Sequence, residues 1–197
     1  MNRKLLIILF LIIIIVAGLL LFFSESYPAA LVNWHPVSLD SFNKESAAAM
    51  HYYQKLLEVY GEDSLVSMSA VEFQKEVQRA VLEKLIENKI VEKELENKLE
   101  SKDLNKIVDK KIGEILEEAG DNIEEKVKTL YGISMLDFQR EILEPQARLE
   151  VLQGRFILEG KDDPSFNEWF NSVKLQAKVM ILVPNFHWGD GKVSINE

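Results

Sequence analysis

The 197-residue chain contains no cysteine, which excludes disulfides and thiolate metal sites while leaving the redox compartment open. Glycine and proline are scarce, nine and five residues, so the chain is neither low-complexity nor collagen-like. Lysine and arginine are outnumbered by aspartate and glutamate, 23 to 32, for a net charge of −9. Without a basic patch to neutralise phosphates, nucleic acid is excluded as a partner. The sequence also lacks a Gly-x-Ser-x-Gly elbow and a glycine-rich phosphate loop, so it offers neither nucleophile nor nucleotide site. Its three histidines, His35, His51 and His187, have no second ligand at metal-binding spacing, and the abundant carboxylates alternate with lysine as on a solvated helix face. The reading is no catalytic residue, no metal ligand and no cofactor.

What the chain does have begins with "LLIILFLIIIIVAGLLLFF", Leu5–Phe23, 19 apolar or small residues in a row. As a helix this stretch would cover roughly 28 Å, about the thickness of a bilayer's hydrocarbon core. It exceeds the apolar region of a cleaved signal peptide, so a transmembrane anchor is expected over residues 5–23, after a cytoplasmic stub of residues 1–4. Arg3 and Lys4 before it and Glu25 after it put the N-terminus in the cytoplasm. The rest then faces the periplasm or the cell exterior, joined to the membrane by a tether over residues 24–30.

The exported part reads as helices between two β segments. "LVNWHPVS", Leu31–Ser38, is strand-like, with Pro36 suited to an edge or a strand end. Ser38 or Asp40 can cap a helix through Gly61 with Phe42, Ala49, Tyr53, Leu56 and Tyr60 on one stripe. Ser69 and Glu72 have capping-box spacing and open a helix expected to reach about Glu100. Phe73, Val77, Val81, Leu85, Val91, Leu95 and Leu99 form one stripe, broken by a polar gap at Asn88. Leu82, Ile86 and Ile90 form a second, rotated by roughly 100°. A helix apolar on two faces needs two partners, which predicts a central position.

Further helices follow from Ser101, around Ile123–Leu130 before Gly132, and from a Ser134 cap to Phe156 with a kink near Glu141–Pro145. A last helix buries Phe166, Trp169, Phe170 and Val173. "AKVMILV", Ala177–Val183, is a strand. A lone strand leaves its backbone groups unpaired, so Val32–Val37 is expected to pair with Lys178–Val183. The fold class expected is mostly α, closed by one small two-stranded sheet over residues 31–183, with residues 184–197 a tail or hairpin around "GDG".

The N-terminal apolar stretch, "VNWHPVS", "VLEKLIENKIVEKEL", "LYGISMLDFQREILEP" and "AKVMI", taken in order, resemble the N-terminal chaperone domain of the SurA/PrsA group of extracytoplasmic folding factors. The similarity covers Leu31–Val183. It matches the family's opening strand at Val32, Asn33, Pro36 and Val37, with Trp34 where the family favours glycine. Members often carry a parvulin-type prolyl isomerase module, for which this chain has no room. The resemblance implies a membrane-anchored holdase whose partners are unfolded or nascent exported polypeptides, bound through an apolar groove. A divergent prolyl isomerase and an envelope scaffold for one dedicated partner are the alternatives. Adaptable side chains at the margins of the stripes, Met50, Tyr52, Met68 and Met180, are the candidate polypeptide-binding residues.

Overall fold

Ser69 accepts a hydrogen bond from the Glu72 amide while the Glu72 carboxylate accepts one from the Ser69 amide, and this reciprocal cap starts the longest helix of the domain. A computed structural model describes residues 27–60, 69–160 and 165–196. In chain order the elements are β1 (Pro28–Val32), β2 (His35–Ser38), α1 (Leu39–Tyr60), α2 (Ala70–Glu96), α3 (Ser101–Ala119) and α4 (Ile123–Tyr131). A short α5 (Met135–Phe138) continues through a π-helical turn (Gln139–Leu143) into α6 (Glu144–Leu158). Then come α7 (Phe166–Gln176), β3 (Val179–Ile181), β4 (Phe186–Gly189) and β5 (Lys192–Ile195).

Helix α2 is the spine. Val81, Leu82, Leu85, Ile86 and Ile90 join one core with the strands and Phe42, whereas Val91 and Leu95 join a second with Leu104, Val108, Ala147 and Leu152. The first stripe therefore serves both cores in succession, Val81 and Leu85 the first and Val91 and Leu95 the second, while Leu82, Ile86 and Ile90 serve the first alone. A third, smaller core of Val127, Phe138 and Leu143 lies between α4 and the α5 region, away from the spine.

The expected fold class needs correction in two respects. The expected transmembrane helix over Leu5–Phe23 lies outside the described residues, and among the described residues no helix is long and apolar enough to cross a membrane. The strands do not form one two-stranded sheet: there is a three-stranded antiparallel sheet, order β2-β1-β3, and a separate hairpin, β4-β5. "LVNWHPVS" is not a single strand either. Asn33 and Trp34 both take positive φ, 48° and 70°, the paired left-handed geometry of a tight hairpin, and they fold β2 back on β1. Ala30–Val32 rather than Val32–Val37 pairs with the late strand, with Val32 opposite Val179 and Ala30 opposite Ile181. Asn33, the turn's first residue, ties the two chain ends further, its side-chain oxygen accepting from the Lys178 amide at 2.9 Å. Pro36 is tolerated because β2 is an edge strand.

A left-handed backbone is awkward for a bulky L-residue, and Trp34 is also 79% exposed. Its ring borders only a small cavity with Leu31, Lys178, Val179 and Met180. Trp34→Gly is therefore expected to raise stability by about 0.5–1 kcal/mol, relief of strain exceeding the extra freedom of glycine in the unfolded chain. In a thermal melt this is a rise of roughly 2 °C. A fall would mean that the ring's contacts outweigh the strain.

The tail from residue 184 is part of the domain. Asp190 and Gly191 make the β4–β5 turn with φ of 53° and 72°, and Phe186 and Val193 are buried in the first core beside α2. Val193 is further held through its backbone, its amide donating to the Glu83 carboxylate at 3.2 Å.

Candidate functional site

Proline has no amide hydrogen, so Pro145 cannot serve the carbonyl four residues earlier, that of Glu141. The helix answers in two ways. It widens into the π turn, where the Glu144 amide donates to Gln139, and it takes a donor from a neighbour. Lys84 on α2 donates to the Glu141 carbonyl at 3.2 Å. The same ammonium donates to Glu45 Oε2 on α1 at 2.8 Å. One lysine thus joins α1, α2 and the α5–α6 rod.

Glu45 is buried, and only one of its carboxylate oxygens is matched. Oε1 has no hydrogen-bond partner among the described residues. Burial pushes its carboxyl above the ordinary glutamate value, Lys84 opposes this, and the nearby Glu141 charge adds to the rise.

On one side of this knot lies a groove of about 520 Å³ between α1 and the α4–α5 region. Its walls carry Ala47, Ala48, Tyr52, Tyr131, Ile133 and Ile142, and its rim carries Lys44, Glu45, Lys84, Asp137 and Glu141. Small side chains on α1 open the space, since a larger residue at Ala47 or Ala48 would fill it. Aromatic contacts set the far end: Tyr52 stacks on Tyr131 at 5.1 Å, Tyr53 meets Phe73 edge-on at 5.4 Å, and Tyr131 leans on Phe138 at 5.2 Å. Burial, with Tyr52 beside it, raises the Tyr131 hydroxyl's pKa, so the ring stays neutral.

The joint between the two walls is specific. His51 Nε2–H donates to the Thr129 carbonyl at 3.1 Å, near the C-terminus of α4, where helix carbonyls lack partners. Gly132 ends α4 with a φ of +70°, and a Cβ there would sit 3.1 Å from the His51 ring. Only glycine satisfies both demands.

Of the candidate residues proposed from sequence, Tyr52 lines the groove. Met50 is half-buried and packs against the first core. Met180 is exposed on the β-sheet beside Trp34, apart from the groove. Met68 lies outside the described residues. Sequence reading missed Ala47, Tyr131, Ile133 and Ile142, which come from segments more than 70 positions apart and share no local pattern. It also passed over a Ser-x-x-Lys spacing at Ser41–Lys44. Lys44 pairs with Asp40 at 2.8 Å, and the two residues line different cavities, so no nucleophile–base pair results. His187 Nδ1–H donates to Asn196 Oδ1 at 2.6 Å, within the β4–β5 hairpin. Among the described residues no cluster of three or more His, Asp or Glu is placed to hold a metal.

No family model, no curated protein and no solved structure matches the chain.

Proposed function

We propose that the domain is a holdase that binds unfolded polypeptide, as chaperone domains of the SurA/PrsA type do, and that it works on the outer side of a cytoplasmic membrane. The observation that carries this reading is the open groove of about 520 Å³ between α1 and α4, walled by alanine, tyrosine and isoleucine. Binding there is reversible burial of apolar side chains, worth about 25 cal/mol per Å² removed from water before the cost of ordering the client. Tyrosine and small aliphatics give adaptable contact area, suited to varied clients. The net charge of −9 keeps the protein soluble and discourages acidic clients. The location follows from the Arg3–Lys4 and Leu5–Phe23 sequence pattern and belongs to the same proposal.

The test is suppression of aggregation. The protein is expected to slow light scattering from two unrelated proteins unfolding at moderate heat, and Ala47→Arg is expected to abolish the effect. Ala47 is exposed on a helix, and arginine is nearly as good a helix former as alanine, so the melting temperature should stay within about 1 °C. Equal protection by the variant would sink the groove as the site. Failure to protect either client, with capture of a single envelope protein, would favour a dedicated scaffold. Acceleration of cis–trans exchange in a proline peptide would favour an isomerase.

A further inference from the structure

The polar gap in the α2 stripe, Asn88, has a counterpart in space. Its side-chain nitrogen is buried and has no hydrogen-bond partner among the described residues, and the same holds for Glu45 Oε1. Both residues line a second cavity, of about 340 Å³, with Pro36, Leu85 and Pro145 among its apolar walls. A buried donor and a buried acceptor left unmatched are costly unless something meets them.

The charge around this cavity narrows what can meet them. Arg140 is paired with Asp137 at 2.9 Å and Glu141 at 2.8 Å, Arg148 with Glu144 at 2.7 Å, and Lys89 with Glu92. Each cation on the rim is committed, so an anion finds no free partner there. A neutral group that accepts one hydrogen bond and donates another fits the unmatched pair. A trans peptide bond directs its N–H and C=O to opposite sides, whereas a primary carboxamide presents both along one edge.

We propose that this cavity is a side-chain pocket for glutamine or asparagine of a bound polypeptide, with the carboxamide oxygen accepting from Asn88 and its NH₂ donating to Glu45 Oε1. The inference rests on the groove holding an extended chain. Glu45 and Glu141 line both hollows, so the two share a wall. The preferred client segment is then an apolar or aromatic stretch flanked by a carboxamide residue, and the pocket supplies selectivity that a greasy groove alone lacks.

Two synthetic twelve-residue peptides test it, identical in an aromatic–aliphatic centre and differing only in a flanking glutamine or its near-isostere methionine. Binding to the full-length protein is read by fluorescence anisotropy. The glutamine peptide is expected to bind at least about tenfold tighter. With Asn88→Leu, which continues the apolar stripe, and with Asn88→Asp, which replaces the donor by an acceptor, that preference should vanish while the methionine peptide binds as before. Equal affinities for the unaltered protein would overturn the pocket and leave the groove standing, water then satisfying both groups. A preference that survives both substitutions would also overturn it. Binding of neither peptide would remove the groove reading and the pocket with it.

Discussion

Truncation after Val183 is expected to leave a chain that no longer unfolds cooperatively. Phe186 and Val193 are 8% and 2% exposed and sit in the core built by Leu82 and Ile86. Removing a buried phenylalanine costs about 3–5 kcal/mol, and losing a buried valine adds about 1.5–3. The whole stability of a domain this size is about 5–15 kcal/mol. The deletion also strips partners from α2. Val193 N–H donates to Glu83 and Val193 C=O accepts from Arg79 at 3.4 Å, so both ends of the Arg79–Glu83 pair lose a contact. A single substitution, Val193→Asp, tests the same packing by burying an unpaired charge and should cost at least about 3 kcal/mol. Circular dichroism melts decide the matter. A truncated chain that melts as sharply and as high as the intact one would show the hairpin to be dispensable.

The second large effect is expected at Lys84. Lys84→Met leaves the Glu45 carboxylate buried without its cation and the Glu141 carbonyl, already freed by Pro145, without its donor. Removing one partner of a buried pair costs about 3–5 kcal/mol, and here the total should fall near 3 because the Lys84 side chain is itself 42% exposed. The pH dependence carries the signature. Glu45 titrates above its ordinary value near 4.5 in the folded protein. Between the unfolded and folded values the native state holds more protons, so this group's contribution to stability falls as pH rises through that window. Loss of Lys84 pushes the folded value higher still and widens the window upward. The deficit of Lys84→Met should therefore be larger at pH 7.5 than at pH 5.5, and Lys84→Met combined with Glu45→Gln should recover most of it. Comparing variants at each pH matters, because Glu96 and Glu150, held below their ordinary values by Lys93 and Lys111, act in the opposite sense: their contribution is present above the unfolded value and lost as pH falls. Equal deficits at both pH values would mean that Glu45 is not the group responsible.

How much of this was legible in advance divides by distance along the chain. The helices were, because apolar residues three and four apart announce them locally and Ser69 and Ser134 mark their starts. Pro145 announced an irregularity at the right place, though its form, a π turn stitched by Lys84, depends on a residue 57 positions from Glu141. The β segments were misread where a turn signal was hidden. Asn33-Trp34 has no glycine to advertise a hairpin, so eight residues looked like one strand. The membrane reading concerns residues that precede those described. Of the groove's lining, only Tyr52 was picked out from sequence. Ala47 and Ala48 look like ordinary helix formers until Tyr131 and Ile142 stand opposite them, and only then does their smallness become an opening.

The three cores described above differ in size, and the groove runs along the boundary between the largest and the smallest. Its α1 wall is backed by the sheet and the spine helix, while its α4 wall rests on the buried Val127, Phe138 and Leu143 and on half-buried side chains such as Ile115, Leu116 and Met135. Local opening follows the weakest packing, so the amide hydrogens of α4 are expected to exchange with solvent before those of α1.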